Sequence, residues 1–168
     1  MLESWRPSWP PFRFMDPILA SLDAAFRRID QRSRDLLSRL TPEQLFFRPD
    51  GSTTSMKPFS CGEYILRSAG AVEQTFDGIT TRMWDDPFEW TLPEKLSSQT
   101  LILEYLDEVE ATRVQGFSFI NSDADLRREI PAPEKIRSLA DILIGTIVRA
   151  SDLQGRSLAL YQVISTDR

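Results

Sequence analysis

The chain has 168 residues, with 25 acidic side chains against 20 Lys and Arg, a net charge of −5, one cysteine and no histidine. Without histidine, a Ser-His-Asp triad, a Cys-His pair and a histidine-ligated zinc site are all excluded. The acidic balance disfavours nucleic-acid binding, because binding requires cationic side chains that replace the counterions of the phosphates. The length predicts a single domain with a full hydrophobic core.

Proline positions divide the chain into four long proline-free stretches, and each stretch carries apolar residues at steps of three and four. The stretches are 18–41, 59–86, 94–130 and 134–168. Because this spacing is typical of amphipathic helices, the pattern predicts an all-α, four-helix bundle over residues 16–168. Strand-prone pieces, at residues 46–47 and 117–120, are short and fall in or beside expected loops.

Polar residues mark where each helix should begin. The pair Asp16 and Pro17 combines an N-cap with a proline in the first turn, and Ser60 with Glu63 forms a capping box. The third helix should begin near Ser98 or Thr100. The fourth should begin at Ser138, with Asp141 three residues on as another candidate box.

Two aromatic-rich segments lie outside the predicted helices. Residues 1–15 form a Pro/Trp-rich N-terminal arm, which we expect to be extended. We expect its rings to be covered by the chain's own helices or by a partner, with disorder of the arm as the remaining alternative. A long crossover between the second and third helices carries Trp84 and Trp90, which we expect to cap one end of the bundle.

The cellular setting is predicted from the cysteine count and from hydropathy. Cys61 cannot form an internal disulfide, which favours a reducing compartment. No segment approaches the roughly 20 apolar residues of a membrane span, and the N-terminus lacks the apolar run of a signal peptide. We therefore expect a cytoplasmic protein without a membrane segment.

Three sequence segments together resemble a known superfamily. Residues 40–49 are LTPEQLFFRP, residues 61–67 are CGEYILR and residues 149–156 are RASDLQGR. In order and spacing they are similar to motifs of the DinB/YfiT-like superfamily, over roughly residues 16–165. In that superfamily, a turn follows the first helix, and an aromatic-Arg-Pro segment then precedes the second helix. The motif that opens the second helix ends in histidine. The fourth helix carries His-x-x-x-His-Arg-Gly-Gln. The resemblance implies a four-helix bundle that commonly forms a homodimer.

The resemblance also indicates where the family places its metal. Many members bind a divalent ion with one histidine from the second helix and two, four residues apart, from the fourth, and some use it to activate a low-molecular-weight thiol. At those positions this chain has Arg67, Arg149 and Leu153. Arginine stays protonated and leucine has no donor atom, so we expect neither the metal nor the thiol chemistry, and no cofactor.

The two arginines leave several interpretations open. Arg149 is predicted on the core-facing side of the fourth helix, and Arg67 on the shoulder of the second, beside Tyr64. Ion pairs with Glu63, Asp152 or Glu73 would link the helices in place of the metal. Alternatively the guanidinium groups line a pocket for an anionic small molecule, or they extend to solvent.

Other candidate sites have simpler interpretations. The acidic run 104–110 is out of phase with the apolar stripe of its helix, which predicts a solvated face, although a metal site made only of carboxylates remains an alternative. Cys61, in the first turn of its helix, is expected to be small and semi-buried, with a reactive thiol as the alternative. The alternating Arg and Asp residues of the first helix predict a salt-bridged outer face.

The sequence therefore predicts a DinB-like scaffold without the metal site. The leading hypothesis for function is a non-enzymatic binding or interaction domain with a cleft between the second and fourth helices. The alternative is a metal-independent transferase-type enzyme, or a binder of small anions, that uses Arg67 and Arg149.

Overall fold

A computed structural model describes residues 16–48, 59–87 and 97–166. These residues are mostly helical and form an all-α protein with four long helices, a short helix, a 3₁₀ turn and one small hairpin. In chain order the elements are α1 (Pro17–Leu37), α2 (Pro42–Phe46), α3 (Cys61–Thr81), α4 (Gln99–Ser118), a 3₁₀ turn (Asp123–Arg127), β1 (Glu129–Pro131), β2 (Ile136–Ser138) and α5 (Leu139–Thr166). The predicted N-terminal arm and Trp90 lie outside the described residues.

The four long helices enclose one core. The most extensive contact joins α3 to α5, followed by that between α3 and α4, and α1 packs against both α4 and α5. The centre of the core contains Phe26, Phe76 and Phe117, one from each of α1, α3 and α4, with ring centroids 5.2 to 6.0 Å apart. Edge-to-face and tilted contacts of this kind add stability beyond the apolar area that they bury.

The locally encoded helix starts are as predicted. Ser60 Oγ accepts a hydrogen bond from the N–H of Glu63 (3.2 Å), and the Glu63 carboxylate accepts one from the N–H of Ser60 (2.9 Å). Ser98 caps α4, and Ser138 Oγ accepts a hydrogen bond from the N–H of Asp141. A second capping box, between Thr41 and Gln44, starts the short helix α2, which the sequence analysis treated as a turn.

The start of α1 is held by tertiary contacts instead. Asp16 precedes the helix as predicted, but its side chain forms no cap. Its carboxylate accepts a hydrogen bond from the N–H of Asp123 (2.9 Å), and the Asp123 carboxylate accepts hydrogen bonds from the N–H groups of Ile18 and Leu19 (3.1 and 2.9 Å). A residue about a hundred positions away therefore satisfies the free N–H groups of this helix end.

The region between α4 and α5 differs from the prediction. The third helix was expected to fill much of 94–130, but α4 ends at Ser118, and residues 129–138 form an antiparallel hairpin in which Ile130 pairs with Arg137. Strands of three residues are too short to show the alternation that identifies a strand, so the hairpin could not be predicted. Ile130 is fully buried and joins the hairpin to the helical core.

The connection from α3 to α4 is long, as expected, because α3 ends at Thr81 and α4 begins at Gln99. The helix α3 stops where Arg82 adopts a left-handed backbone conformation (φ 65°), from which its N–H reaches the carbonyl of Gly78. Trp84 then packs against Gly78, consistent with a capping role for this segment. Among the described residues, none of the helices combines the length and apolar character needed to cross a membrane.

Candidate functional site

The contact between α3 and α5 is tied together by three buried side-chain hydrogen bonds along its length. The pairs are Ser157 Oγ with the Cys61 carbonyl (3.0 Å), Ser68 Oγ with the Ala150 carbonyl (2.8 Å) and the hydroxyls of Thr75 and Thr146 (2.6 Å). Residue numbers rise along α3 as they fall along α5, so the two helices are antiparallel. Short polar side chains let the helices approach closely and fix their register.

A cavity of about 220 Å³ lies beside this contact. Its described lining includes Arg67, Arg149 and Leu153, the three residues that the sequence resemblance aligned with metal-binding histidines. Asp152 also lines it, whereas Glu63 and Tyr64 are not part of the lining. The structure therefore brings together four of the six candidate site residues.

Arg67 is positioned by an aromatic ring. Its guanidinium carbon lies 3.9 Å from the centroid of the Phe59 ring, and Phe59 in turn packs edge-to-face on Tyr64, with centroids 5.5 Å apart. Stacking of this kind uses the flat face of the guanidinium, whereas carboxylates and phosphates bind at its N–H edge. Tyr64 therefore supports the Phe59 ring and is not part of the described cavity lining.

The predicted pairing of Glu63 with Arg67 is wrong. The buried Glu63 carboxylate binds Arg48, with Nε at 2.7 Å, and also caps α3 through Ser60. As the third residue of the helix, Glu63 turns back toward the helix start to complete the capping box. It is therefore directed away from the next helical turn, where Arg67 lies.

The prediction for the second arginine also needs correction. Arg149 is exposed, and the core position beside it belongs to the fully buried Ala150. Asp152 pairs with Arg156 at the favourable i, i+4 spacing (2.9 Å) and not with Arg149. Arg149 donates a long hydrogen bond to Gln74 Oε1 (3.4 Å), and within the described ranges it forms no ion pair.

Gln74 connects this cavity to a larger one. Its amide accepts from Arg149 and donates to the Trp84 carbonyl (2.9 Å). Ala71, Gln74 and Arg149 line both the small cavity and an adjoining one of about 520 Å³. Trp84, the Thr75–Thr146 pair and the hairpin turn border the larger space. This second cavity could not be predicted from the sequence, because one of its walls is the unpredicted hairpin.

A buried ionic cluster that was not predicted lies on the opposite side of α3. The side chain of Arg113 on α4 is only 5% exposed and binds Asp23 of α1 and Glu110. Burial lowers the pKa of the Arg113 guanidinium. The sequence did contain an indication that Arg113 is buried, because Arg113 lies on the apolar stripe of its helix, four residues after Val109 and four before Phe117. Buried ion pairs therefore do link the helices, but they do not involve Arg67 or Arg149.

Several simpler predictions are confirmed. Glu104, Asp107 and Glu108 of the acidic run are exposed, as expected for a solvated face. The first helix carries surface pairs between Asp23 and Arg27 and between Asp30 and Arg34.

Cys61 is more buried than expected. Its side chain is fully buried, and its Sγ lies 3.5 Å from the Ser157 carbonyl oxygen. Burial raises the pKa of the thiol to about 11, so the thiol is protonated at neutral pH. A reactive cysteine is therefore not supported, since the thiolate is the nucleophilic form.

Similarity to known proteins does not add an activity to this description. No family model matches the chain, and no curated protein matches it significantly. The cleft is therefore interpreted from its own residues.

Proposed function

We propose that the cleft between α3 and α5 binds a small anionic molecule, and that the protein acts as a binding domain. The observation that carries this proposal is the grouping of three arginines, Arg67, Arg149 and Arg156, around a single cavity of about 220 Å³. Two aspartates, Asp86 and Asp152, are also present, which leaves one excess positive charge. In a protein whose net charge is −5, a cavity of positive character is a local exception.

The arrangement of the side chains suits recognition of an anion. Phe59 supports one face of the Arg67 guanidinium, which reduces the entropy lost when its edge binds a ligand. Arg149 is exposed and has only the long hydrogen bond to Gln74, so an anion can compete for its donors at little cost. A carboxylate or phosphate bound by both groups would form charge-assisted, bidentate hydrogen bonds.

A binding role is better supported than a transferase role. The described lining of the small cavity contains no hydroxyl, thiol or amine nucleophile, and of its two carboxylates Asp152 is paired with Arg156. A transferase would also have to bind a second substrate, for which the adjoining cavity of about 520 Å³ offers room.

For the scaffold we propose a DinB/YfiT-like four-helix bundle that lacks the family's metal site. The cyclic packing of α1, α4, α3 and α5 supports a bundle, and the common cavity of Arg67, Arg149 and Leu153 supports the assigned register. Metal analysis of protein purified without a histidine tag should find no stoichiometric divalent ion. One tightly held ion per chain would contradict this proposal.

A homodimer is proposed on the family resemblance alone, and a cytoplasmic location on the single cysteine and the hydropathy. Light scattering of the purified protein tests the first, because a dimer has twice the mass of the 19.3 kDa chain. Fractionation of the source cells tests the second.

The anion site can be tested by titration of phosphate and citrate at constant ionic strength, so that screening does not change. A bound anion should raise the melting temperature by mass action. Hydrogen bonds to charged groups are worth about 1.5–3 kcal/mol, so Arg149→Gln should weaken binding roughly tenfold or more. Arg28→Gln, an exposed arginine on α1 outside the cavity, is the matched control. If neither anion binds, or if Arg149→Gln binds as tightly as the wild type, the proposal fails.

A further inference from the structure

One largely buried glutamine forms no side-chain hydrogen bond with the described residues. Nine polar or charged residues are buried in the described part of the chain, and eight of them form hydrogen bonds or ion pairs through their side chains. The ninth is Gln154 on α5, which is only 5% exposed and bonds to no other described residue. Its amide nitrogen and oxygen are not fully enclosed by the protein, and the residue lines an adjoining cavity, where a bound molecule can form hydrogen bonds with them.

Gln154 lies at a cavity of about 440 Å³ between α1 and α5. The cavity shares no described lining residue with the arginine cleft on the other side of α5. Beside Gln154 the helix has Gly155, where an added Cβ would have no atom within 4 Å, and Ser151, whose hydroxyl also has no partner among the described residues. Leu36 and Leu158 supply an aliphatic surface.

The α1 side of this cavity carries charges that are not neutralised within the protein. Arg32 and Arg39 line it, both are exposed, and neither forms an ion pair with the described residues. Arg32 lies in the last turns of α1 and Arg39 in the turn that follows its end, and both border the same cavity. Asp35, between them, accepts a hydrogen bond from Gln31 (2.8 Å).

We propose that this cavity is a second binding site, for a small aliphatic molecule that contains both an amide and a carboxylate, as in an N-acylated amino acid. The Gln154 amide offers one acceptor and donors, which match a ligand amide group. Arg32 or Arg39 binds the carboxylate, and Leu36 and Leu158 contact the aliphatic part. The described lining contains no aromatic ring on which a nucleobase could stack, which disfavours nucleotides.

The test is a calorimetric titration of the full chain with N-acetyl-leucine. Two comparison compounds each lack one element: N-acetyl-leucine amide has no carboxylate, and 4-methylpentanoate has no amide. We expect N-acetyl-leucine to bind and each comparison compound to bind roughly tenfold more weakly or not at all. Absence of binding at about 10 mM, or equal binding of all three, would overturn the proposal.

Variants locate the site. Gln154→Leu should weaken N-acetyl-leucine binding at least about tenfold without a large change in the melting temperature, because the amide bonds to no described residue. Gln115→Leu, at an exposed position of α4, is the control. Unchanged binding in Gln154→Leu would overturn the proposal. So would a large loss of stability, which would show that the amide is satisfied within the folded protein.

The double variant Arg32→Gln, Arg39→Gln changes only exposed side chains and should fold normally. It should lose most of the binding of N-acetyl-leucine while Arg28→Gln retains it, and the opposite result would refute the assignment. Phosphate binding at the α3–α5 cleft should be the same in Gln154→Leu as in the wild type. The two proposed sites can therefore fail independently.

Discussion

Two helical glycines offer a sharp test of the packing, because the same substitution should have opposite effects on stability. At Gly116 of α4, an added Cβ would overlap Cδ1 of Phe76 and lie only 2.9 Å from its Cγ. Phe76 cannot move aside, because it is fully buried and its ring is held by Phe26 and Phe117, each with its centroid 5.2 Å away. At Gly155 of α5 an added Cβ meets no atom within 4 Å.

The expected magnitudes follow from these surroundings. Overpacking a rigid core costs about 1–3 kcal/mol, and alanine regains at most about 1 kcal/mol of helix propensity, so Gly116→Ala should lower the free energy of unfolding by about 1–2 kcal/mol. Gly155→Ala has only the propensity gain, which should raise the free energy of unfolding by about 0.5–1 kcal/mol. The two variants should therefore differ by roughly 1.5–3 kcal/mol.

Urea unfolding followed by circular dichroism measures both effects. A change in the midpoint at constant m-value reports a change in stability, and for a domain of this size 1 kcal/mol shifts the melting temperature by about 2–4 °C. If Gly116→Ala is as stable as the wild type, the close approach of α4 to Phe76 is incorrect. A destabilised Gly155→Ala would contradict the open surroundings of that glycine.

Three further predictions concern other parts of the molecule. Asp23→Asn leaves the buried Arg113 with Glu110 as its remaining carboxylate, and urea unfolding should show a free energy of unfolding lower by about 2 kcal/mol. Asp152→Asn, in an exposed pair, should lower it by less than about 0.5 kcal/mol. Equal losses in the two variants would contradict the burial of Arg113. Arg82→Gly should raise the melting temperature, because glycine adopts a φ of 65° without strain, and a decrease would show that the arginine side chain contributes. Because burial raises the pKa of the Cys61 thiol from 9.0 to about 11, the unfolded chain loses this proton first, and stability should fall as the pH rises between those values. Cys61→Ala should show a smaller decrease than the wild type over that range.

The fold was predictable where its signals are local. The capping box of Ser60 and Glu63 involves residues three apart, so it can be recognised in the sequence and recurs in the structure. The start of α1 was predicted in the right place for an incomplete reason, since Asp16 binds the backbone of Asp123 and does not cap its own helix. The hairpin was missed because strands of three residues leave no periodic pattern.

The candidate site was predictable in its position but not in its contacts. The resemblance to DinB/YfiT-like motifs grouped Arg67, Arg149 and Leu153, and these residues line one cavity. The pairing of Glu63 and Asp152 with these arginines was wrong, because several partners lie within reach of a charged side chain and the sequence does not rank them. Glu63 binds Arg48, fifteen residues away along the chain.

The sequence by itself determined the helical class, the places where most helices begin and the absence of any histidine-based chemistry. These properties depend on composition and on interactions over three or four residues, which a single chain displays directly. Only the tertiary structure decided which arginines are buried, which carboxylates they bind and where cavities remain. Arg113 is enclosed because α1 and α4 meet there, and Gln154 is left without a partner because of how α1 and α5 pack. Such contacts join residues tens to more than a hundred positions apart, and they exist only once the helices have assembled.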